Sequence, residues 1–273
     1  ETVMLAYGGG SIKTNGIYQE VMDVLKLAGK QVIEFSGIMP NPTYSKVMEG
    51  KKVVQENQVD LILAVGGGSV MDCSKAISMA AATDKDVWEE YWIKKGEIDF
   101  EPVPVGVIVT VVGTGSEVNG EGVITHEEQK IKTSRNYPRC NPVFAMMDPK
   151  YTYTVSPLQT AAGGFDTLSH VMETYFSAPD EDNLSDAISE ALMRSIIENL
   201  PVAIREPENY EARSNLMWAS TMAEIGIIKL GKQCDFEAHM IEHQMGAYTD
   251  CNHGMGLGVI HPAYYRRICR DGI

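Results

Sequence analysis

DLILAVGGGSVMDCSK, residues 60–75, decides the fold class of this chain. Its first part is an almost entirely apolar strand, which is typical of a strand buried on both faces of a parallel sheet. A glycine turn and an amphipathic helix follow at once. Further strands are predicted at residues 3–7, 31–36 and 103–111, with helices at 17–27 and 43–56. This alternation, with short turns, predicts a parallel α/β sheet with right-handed crossovers.

The pattern changes after residue 149. Ser156 followed by Pro157 is typical of a helix start, with an N-cap and then proline at the first helical position. Helical periodicity covers residues 158–176, 186–200, 210–230 and 234–247. We therefore predict an α/β domain at residues 1–150 and an all-helical domain at residues 151–273. We expect the second domain to be truncated at its C-terminus, since the chain stops without a helix-ending signal.

Composition excludes several classes of protein. The 273 residues carry a formal net charge of −14, which disfavours binding to nucleic-acid phosphates. No run reaches the ~18 apolar residues of a membrane span, and the first residues do not resemble a secretory signal. Five scattered cysteines without metal-finger spacing indicate a reducing compartment, so we expect a cytoplasmic protein. The acidic run at 177–183 is expected to be a solvated loop, and Met146 is expected in a buried strand.

Glycine-rich turns follow three of the predicted strands. GGGS occurs at residues 8–11 and again at 66–69, and TVVGTGSE occupies 110–117. A turn without Cβ atoms lets the backbone approach a ligand, and the N-terminus of the next helix favours phosphate. Since the carboxyl ends of parallel strands lie along one edge, the three turns together predict a nucleotide site there. Neither cluster is the usual GxGxxG fingerprint, and a plain βα turn is the alternative for each.

Five of the six histidines lie in the helical half. Asp166 and His170 are four residues apart, as are His239 and His243, and His253 follows after a further loop. Residues four apart share one helix face, so one helix can supply two ligands to one ion. A carboxylate with several imidazoles is a typical donor set for a divalent transition metal. A single histidine of this kind is more often a core or surface residue, but the joint pattern predicts a metal site.

Several longer motifs resemble one family. They include AYGGGSIKTNG, GIMPNPTYSKV, AVGGGSVMDCSKAI, MMDPKYTYTVSPLQTAAGGFDTLSH and HMIEHQMGAYTDCNHGMGLGV. Together they resemble the iron-dependent alcohol dehydrogenases, in particular the butanol dehydrogenase-like branch. The resemblance implies a dehydroquinate synthase-like architecture, with a parallel-sheet dinucleotide-binding domain followed by a helical metal-binding domain. It also implies hydride transfer between a nicotinamide and a short aliphatic alcohol or aldehyde, and a homodimer.

The resemblance also implies roles for individual residues. The metal ligands would be Asp166, His170, His239 and His253, with Fe(II) as the family's metal; the donor set equally suits Zn(II), Ni(II) or Co(II). His243 would lie near the nicotinamide, and we expect it to relay the alcohol proton. The cofactor-binding positions would be Gly8, Gly9, Ser11, Asn41, Gly66, Gly67, Gly68, Ser69, Asp72, Thr110, Thr114 and Lys132.

The sequence leaves open the choice of cofactor and two alternative functions. Residues 8–11 contain no carboxylate to repel a 2′-phosphate, which favours NADP(H), although close relatives use NADH. A dehydroquinate synthase-like or glycerol dehydrogenase-like enzyme also combines a nucleotide with a metal. A non-catalytic assembly protein is the other alternative. The spacing of Asp166 and His170, within the motif GGFDTLSH, favours the alcohol dehydrogenase over the first alternative. The intact set of metal ligands argues against the second.

Overall fold

A computed structural model describes residues 1–179 and 183–271 of the chain. The centre of the acidic run, residues 180–182, lies outside the described residues. The chain divides into two compact units. The first consists of Glu1–Thr110 and Ser116–Tyr151, and the second consists of Val111–Gly115 and the residues from Thr152 on.

The first unit alternates strands with helices. Its strands are β1 (Thr2–Tyr7), β2 (Gln31–Phe35), β3 (Leu61–Gly66), β4 (Val105–Val109), β5 (Glu121–His126), β6 (Ile131–Asn136) and β7 (Phe144–Met146). Its α-helices are α1 (Ser11–Thr14), α2 (Ile17–Leu27), α3 (Tyr44–Glu56) and α4 (Gly68–Ala81), and a π-helical turn covers Trp88–Ile93. Among the described residues, five parallel strands form one sheet in the order β2-β1-β3-β4-β7. The predicted parallel α/β sheet is confirmed.

The core of this sheet explains why β3 is so apolar. Strand β3 lies between β1 and β4, with Leu63 opposite Leu5 and Val65 opposite Ile108. Alternate side chains of β1 and β3 pack with the apolar face of α2, through Ile17. The opposite faces of the same strands are also buried. A central strand covered by helices on both faces has no solvent side for a polar residue.

An antiparallel hairpin, β5–β6, was not expected from the sequence. Its strands mix polar and apolar residues, and its turn is charged. The indole N–H of Trp92 donates to the carbonyl of Gly122, 3.2 Å away, and joins the hairpin to the π-helical turn. The expectation for Met146 is wrong: it lies on the short strand β7 and is 55% exposed, because β7 pairs with β4 at the end of the sheet order.

The second unit is helical, as predicted. Its helices are α5 (Pro157–Tyr175), α6 (Leu184–Arg205), α7 (Tyr210–Glu224), α8 (Glu237–Thr249) and α9 (His253–Asp271). Ser156 caps α5 as expected, because its hydroxyl accepts the N–H of Gln159 at 3.2 Å. Asn183 and Asn209 cap α6 and α7 in the same way. In the described part of the chain, no helix is both long enough and apolar enough to cross a membrane.

Two of the predicted helix ends are wrong. Helix α6 continues past Pro201 to Arg205, because fully buried Ala203 packs with Ile196 in the core of the unit and outweighs the lost backbone hydrogen bond. Helix α7 ends at Glu224 rather than near residue 230. Gly226 has a φ of +96°, a left-handed conformation that stops an α-helix, and a short 3₁₀ turn follows.

Candidate metal centre and nucleotide-binding edge

The turn after β3 combines a close backbone approach with a helix N-terminus. A Cβ at Gly66 would lie 2.5 Å from Cγ2 of Val70, so only glycine fits there. Helix α4 begins at Gly68, and its first N–H groups have no partner within the helix by the geometry of a helix end. The hydroxyl of Ser69 donates to the carbonyl of Pro40. This turn therefore offers backbone amides and a positive dipole end to an anion.

Strands β1 and β4 end beside this turn. Gly8 follows β1, and its carbonyl accepts the N–H of Gly37 at 3.0 Å. Gly9 and Ser11 are exposed at the same turn. Thr110 follows β4, and its N–H donates to the carbonyl of Gly66 at 2.9 Å. Within the first unit, the predicted positions at 8–11, 66–69 and 110 are therefore on one sheet edge.

Asp72 lies inside the unit rather than at the edge. Its two carboxylate oxygens accept the hydroxyl of Ser116 at 2.5 Å and the N–H of Val123 at 3.0 Å. Burial raises its pKa to about 6, against the opposing effect of Lys75. Both oxygens hold the β5 side of the unit against α4. The geometry gives Asp72 a supporting position behind the glycine turn.

The remaining predicted cofactor positions are spread over both units. Asn41 is buried in the loop before α3, where the neighbouring Pro42 carbonyl accepts the N–H of Thr125 at 2.9 Å. Lys132 is buried on β6. Thr114 belongs to the segment Val111–Gly115 of the second unit. These three positions stay predictions from the family resemblance.

One carboxylate near the turn at residues 8–11 was not predicted from the sequence. Glu34, near the end of β2, accepts hydroxyl protons from Tyr7 at 2.5 Å and Tyr18 at 2.7 Å. The ammonium of Lys13 also donates to it, at 3.1 Å. The two tyrosine hydroxyls and this lysine lower the pKa of Glu34 to about 2. Glu34 is therefore ionised and already bonded to its own neighbours.

The predicted metal ligands come together in the second unit. Asp166 and His170 lie on α5, His239 lies on α8, and His253 begins α9. The Nε2 atoms of His170, His239 and His253 lie 3.8, 3.7 and 3.5 Å from the same oxygen, Oδ1 of Asp166. Among the described residues, neither this oxygen nor Nε2 of His239 has a hydrogen-bond partner.

The charges of this cluster suit a cation. Burial opposes ionisation of Asp166, but the imidazoles of His170 and His253, with His239, lower its pKa to about 2. Unpartnered buried polar atoms are costly, and a cation bound by all four side chains would remove that cost. Three imidazole nitrogens and one carboxylate oxygen, converging from three helices, fit a divalent transition metal.

Two buried glutamates next to the ligands were not found from the sequence. Glu173 accepts a hydrogen bond from Nδ1 of His239, and Glu242 accepts one from Nδ1 of His253. The signal was available, because each glutamate follows a histidine by three residues, in the tetrapeptides HVME and HMIE. The pattern His-x-x-Glu occurs at no other position in the sequence.

Two further histidines surround the cluster. His243 is buried one turn beyond His239 on α8, with its ring centroid 5.5 Å from that of His253. His261 is buried against Phe165, and its Nε2 lies 3.7 Å from Oε2 of Glu173. Burial lowers the pKa of His261 to about 4, so its imidazole is neutral.

Comparison with known proteins covers both units. The family model described as "Iron-containing alcohol dehydrogenase" matches residues 1–149, and "Fe-containing alcohol dehydrogenase family, C-terminal" matches residues 160–269. NADH-dependent butanol dehydrogenase B of Clostridium acetobutylicum is 40% identical over 269 residues, which are 98% of this chain and 68% of that protein. The NADPH-dependent aldehyde reductase YqhD of Escherichia coli is 38% identical, over 96% of this chain and 68% of its own length.

The fold agrees with the sequence comparisons. The crystal structure of NADH-dependent butanol dehydrogenase A from Thermotoga maritima superimposes with a TM-score of 0.95 at 37% identity. The match covers 99% of this chain and 67% of that one. The resemblance seen in the motifs is thereby confirmed. With both halves of the sequence and nearly all of the fold matched, the chain belongs to the iron-containing alcohol dehydrogenase family.

Proposed function

We propose that this protein is a metal-dependent, NAD(P)-linked alcohol dehydrogenase or aldehyde reductase. The observation that carries the proposal is the convergence of three imidazole Nε2 atoms on Oδ1 of Asp166. Family membership supports it, and so do relatives named for the oxidation of butanol and the reduction of aldehydes. The proposed substrate is a short aliphatic alcohol or its aldehyde.

The proposed metal ligands are Asp166, His170, His239 and His253. A divalent ion bound there supplies Lewis-acid polarisation of a substrate oxygen. The family name favours Fe(II), and the donor set also accommodates Zn(II), Ni(II) or Co(II). Asp166 contributes the negative charge, and the three neutral imidazoles contribute lone pairs without adding further charge to a buried site.

The proposed nucleotide site lies on the edge formed by residues 8–11, 66–69 and 110. Residues 66–69 and the N-terminus of α4 bind the pyrophosphate through backbone amides. The bound nicotinamide supplies the hydride chemistry, while the chain positions it and excludes water. Asn41, Thr114 and Lys132 are proposed as further contacts.

NADP(H) is proposed as the preferred cofactor. Residues 8–11 present no carboxylate to repel a 2′-phosphate, and Glu34 nearby is held by two tyrosines and a lysine. A side chain at Gly9 would meet no described atom within 4 Å, so the space there is open. Gly9→Asp should therefore fold normally and lower the NADPH-to-NADH preference at least about tenfold, the effect of ~1.4 kcal/mol of repulsion.

His243 is proposed to move the alcohol proton. It is buried one helical turn from His239, and its ring is close to His253. Loss of a general acid–base group typically costs 10²–10⁴ in rate. We expect His243→Ala to lower kcat by at least ~10² with the metal content unchanged. Full turnover in this variant would exclude the role.

The function is tested by aldehyde-dependent oxidation of NADPH and of NADH, with butanal as substrate and anaerobically purified protein. Turnover should require added Fe(II), and Asp166→Asn should abolish both turnover and metal retention. No turnover with any of the four metals, in a folded protein, would refute the proposal and favour a lyase or an assembly protein. A homodimer and a cytoplasmic location stay predictions; light scattering tests the first.

A further inference from the structure

The two His-x-x-Glu segments are connected across three helices. The first segment lies on α5 and contains His170 and Glu173, and the second lies on α8 and contains His239 and Glu242. Neither glutamate bonds the histidine of its own segment. Glu173 bonds the histidine of the second segment, on α8, and Glu242 bonds His253, on α9. Each glutamate therefore supports a proposed metal ligand on a different helix from its own.

Both glutamates are buried and held at both oxygens. Oε2 of Glu173 accepts from Nδ1 of His239, while its Oε1 accepts the backbone N–H of Ala238 at 2.8 Å. Oε2 of Glu242 accepts from Nδ1 of His253, while its Oε1 accepts from the Cys251 thiol at 3.7 Å. A buried carboxylate with this many partners is rigid and keeps its position.

These contacts decide which ring nitrogen carries the proton. An ionised carboxylate only accepts, so the Nδ1 atom bonded to it must carry hydrogen. A ring that binds a metal is neutral, so its lone pair is then on Nε2, the atom that lies 3.7 Å from Oδ1 of Asp166 in His239 and 3.5 Å from it in His253. The carboxylate also makes that lone pair more basic. Nδ1 of His170, by contrast, has no hydrogen-bond partner among the described residues.

We propose that Glu173 and Glu242 are positioning residues that hold His239 and His253 in the metal-binding tautomer and orientation. This inference rests on the metal site proposed above. Loss of such a partner typically weakens metal binding 10- to 100-fold. Metal affinity, and not catalysis alone, is the property that these two glutamates determine.

The two glutamates differ in what a glutamine can replace. Glutamine has only one oxygen that accepts hydrogen bonds. Glu173→Gln therefore keeps either the hydrogen bond from the ring of His239 or the one from the N–H of Ala238, but not both. In Glu242→Gln the side-chain oxygen still accepts the hydrogen bond from His253, and the side-chain NH2 group faces the sulfur of Cys251. We therefore expect Zn²⁺ affinity to fall about 100-fold in Glu173→Gln and about tenfold in Glu242→Gln.

The experiment uses metal-free protein titrated with Zn²⁺ in competition with a chromophoric chelator. Co²⁺ is bound in parallel, because its visible spectrum reports the geometry of the ligands independently of activity. Glu224→Gln is the matched control. Glu224 is a buried glutamate of the same unit that accepts from Lys229 at 2.9 Å. Its charge acts on His170, but it makes no hydrogen bond to a ligand ring among the described contacts. Thermal unfolding of each metal-free variant checks the fold.

The expected result is weaker Zn²⁺ binding and an altered Co²⁺ spectrum in both variants, with Glu224→Gln within about twofold of the parent protein. Parent-like binding in Glu173→Gln and Glu242→Gln would overturn the inference while leaving the metal site intact. An equal loss in the control would assign the effect to charge alone and would also overturn it. Failure of the parent protein to bind Zn²⁺, Co²⁺ or Fe²⁺ would overturn the site itself. If Glu173→Gln does not fold, Glu242→Gln carries the test.

Discussion

Lys75 is a buried lysine whose removal should destabilise the first unit. Its ammonium donates to the carbonyl and the hydroxyl of Ser116, at 2.6 and 2.7 Å, and to the carbonyl of Glu121 at 2.9 Å. A longer bond of 3.3 Å reaches Asn119. The same Ser116 hydroxyl donates to Asp72, so this one side chain links Lys75 to Asp72. We take Lys75→Met as the perturbation, because methionine has a similar length and no charge.

The expected loss of stability follows from the polar groups that methionine leaves without a partner. The acceptors around Lys75 lose their donor, and Asp72 becomes a buried carboxylate without its counter-charge. Removing one member of a buried charge pair typically costs about 3–5 kcal/mol. For a chain of this size that corresponds to a fall in Tm of roughly 6–20 °C. Asp72→Asn in the Lys75→Met background should recover at least about 1 kcal/mol, since members of one network couple by 0.5–3 kcal/mol.

The destabilisation caused by Lys75→Met should also depend on pH. The pKa of Asp72 is raised by burial from 3.8 to about 6, so the folded state binds the proton more tightly than the unfolded state does. Stability therefore falls as pH rises from about 4 to about 6. Without Lys75 that pKa rises further, and the loss of stability extends to higher pH. The deficit of Lys75→Met should be larger at pH 8 than at pH 5.

The assay is urea unfolding followed by tryptophan fluorescence. Trp88 and Trp92 are buried in the first unit, and Trp92 bonds the hairpin that Lys75 holds. A Trp218→Phe background removes the signal of the second unit. Lys51→Met is the control, because Lys51 makes a hydrogen bond of 2.9 Å to the Thr83 carbonyl and is half-buried; it should cost under ~1 kcal/mol. A loss under ~1 kcal/mol in Lys75→Met would contradict the supporting role assigned to Lys75.

Three further variants test other parts of the molecule. Arg213→Met should lower the free energy of unfolding by about 3 kcal/mol in urea, because the buried guanidinium donates to the carbonyls of Ala203 in α6 and of Pro207 just beyond it; an unchanged midpoint would contradict this. Gly254→Ala should cost about 1–3 kcal/mol and weaken Zn²⁺ binding, because its Cβ would lie 2.1 Å from the Ala162 carbonyl. Gly258→Ala, whose Cβ meets its nearest atom at 4.0 Å, is the control. The pKa of Glu34 is lowered from 4.5 to about 2, so its stabilisation is lost as pH falls through that interval. Glu34→Gln should therefore show a smaller fall in Tm between pH 5 and pH 3; an identical fall would refute the assignment.

The sequence predicted the elements whose signals are local. The apolar run of β3 and the amphipathic pattern of α2 each depend on residues within one element, and both lie where the patterns placed them. The hairpin β5–β6 was missed because its strands are held by side chains of α4, such as Asp72, which are distant in sequence. The continuation of α6 through Pro201 was missed for a similar reason, since burial of Ala203 outweighs the local preference to stop.

The residues of the candidate site also divide into those that the sequence predicted and those that only the structure revealed. Spacing along one helix indicated that Asp166 and His170 share a face, and family motifs indicated His239 and His253 as their partners. Only the tertiary structure paired Glu173 and Glu242 with histidines on other helices. The sequence places each glutamate one turn after a different histidine, at a distance that suggests an intrahelical pair. Which ring a buried carboxylate reaches depends on how α5, α8 and α9 pack, because packing between helices sets distances that spacing along one helix does not.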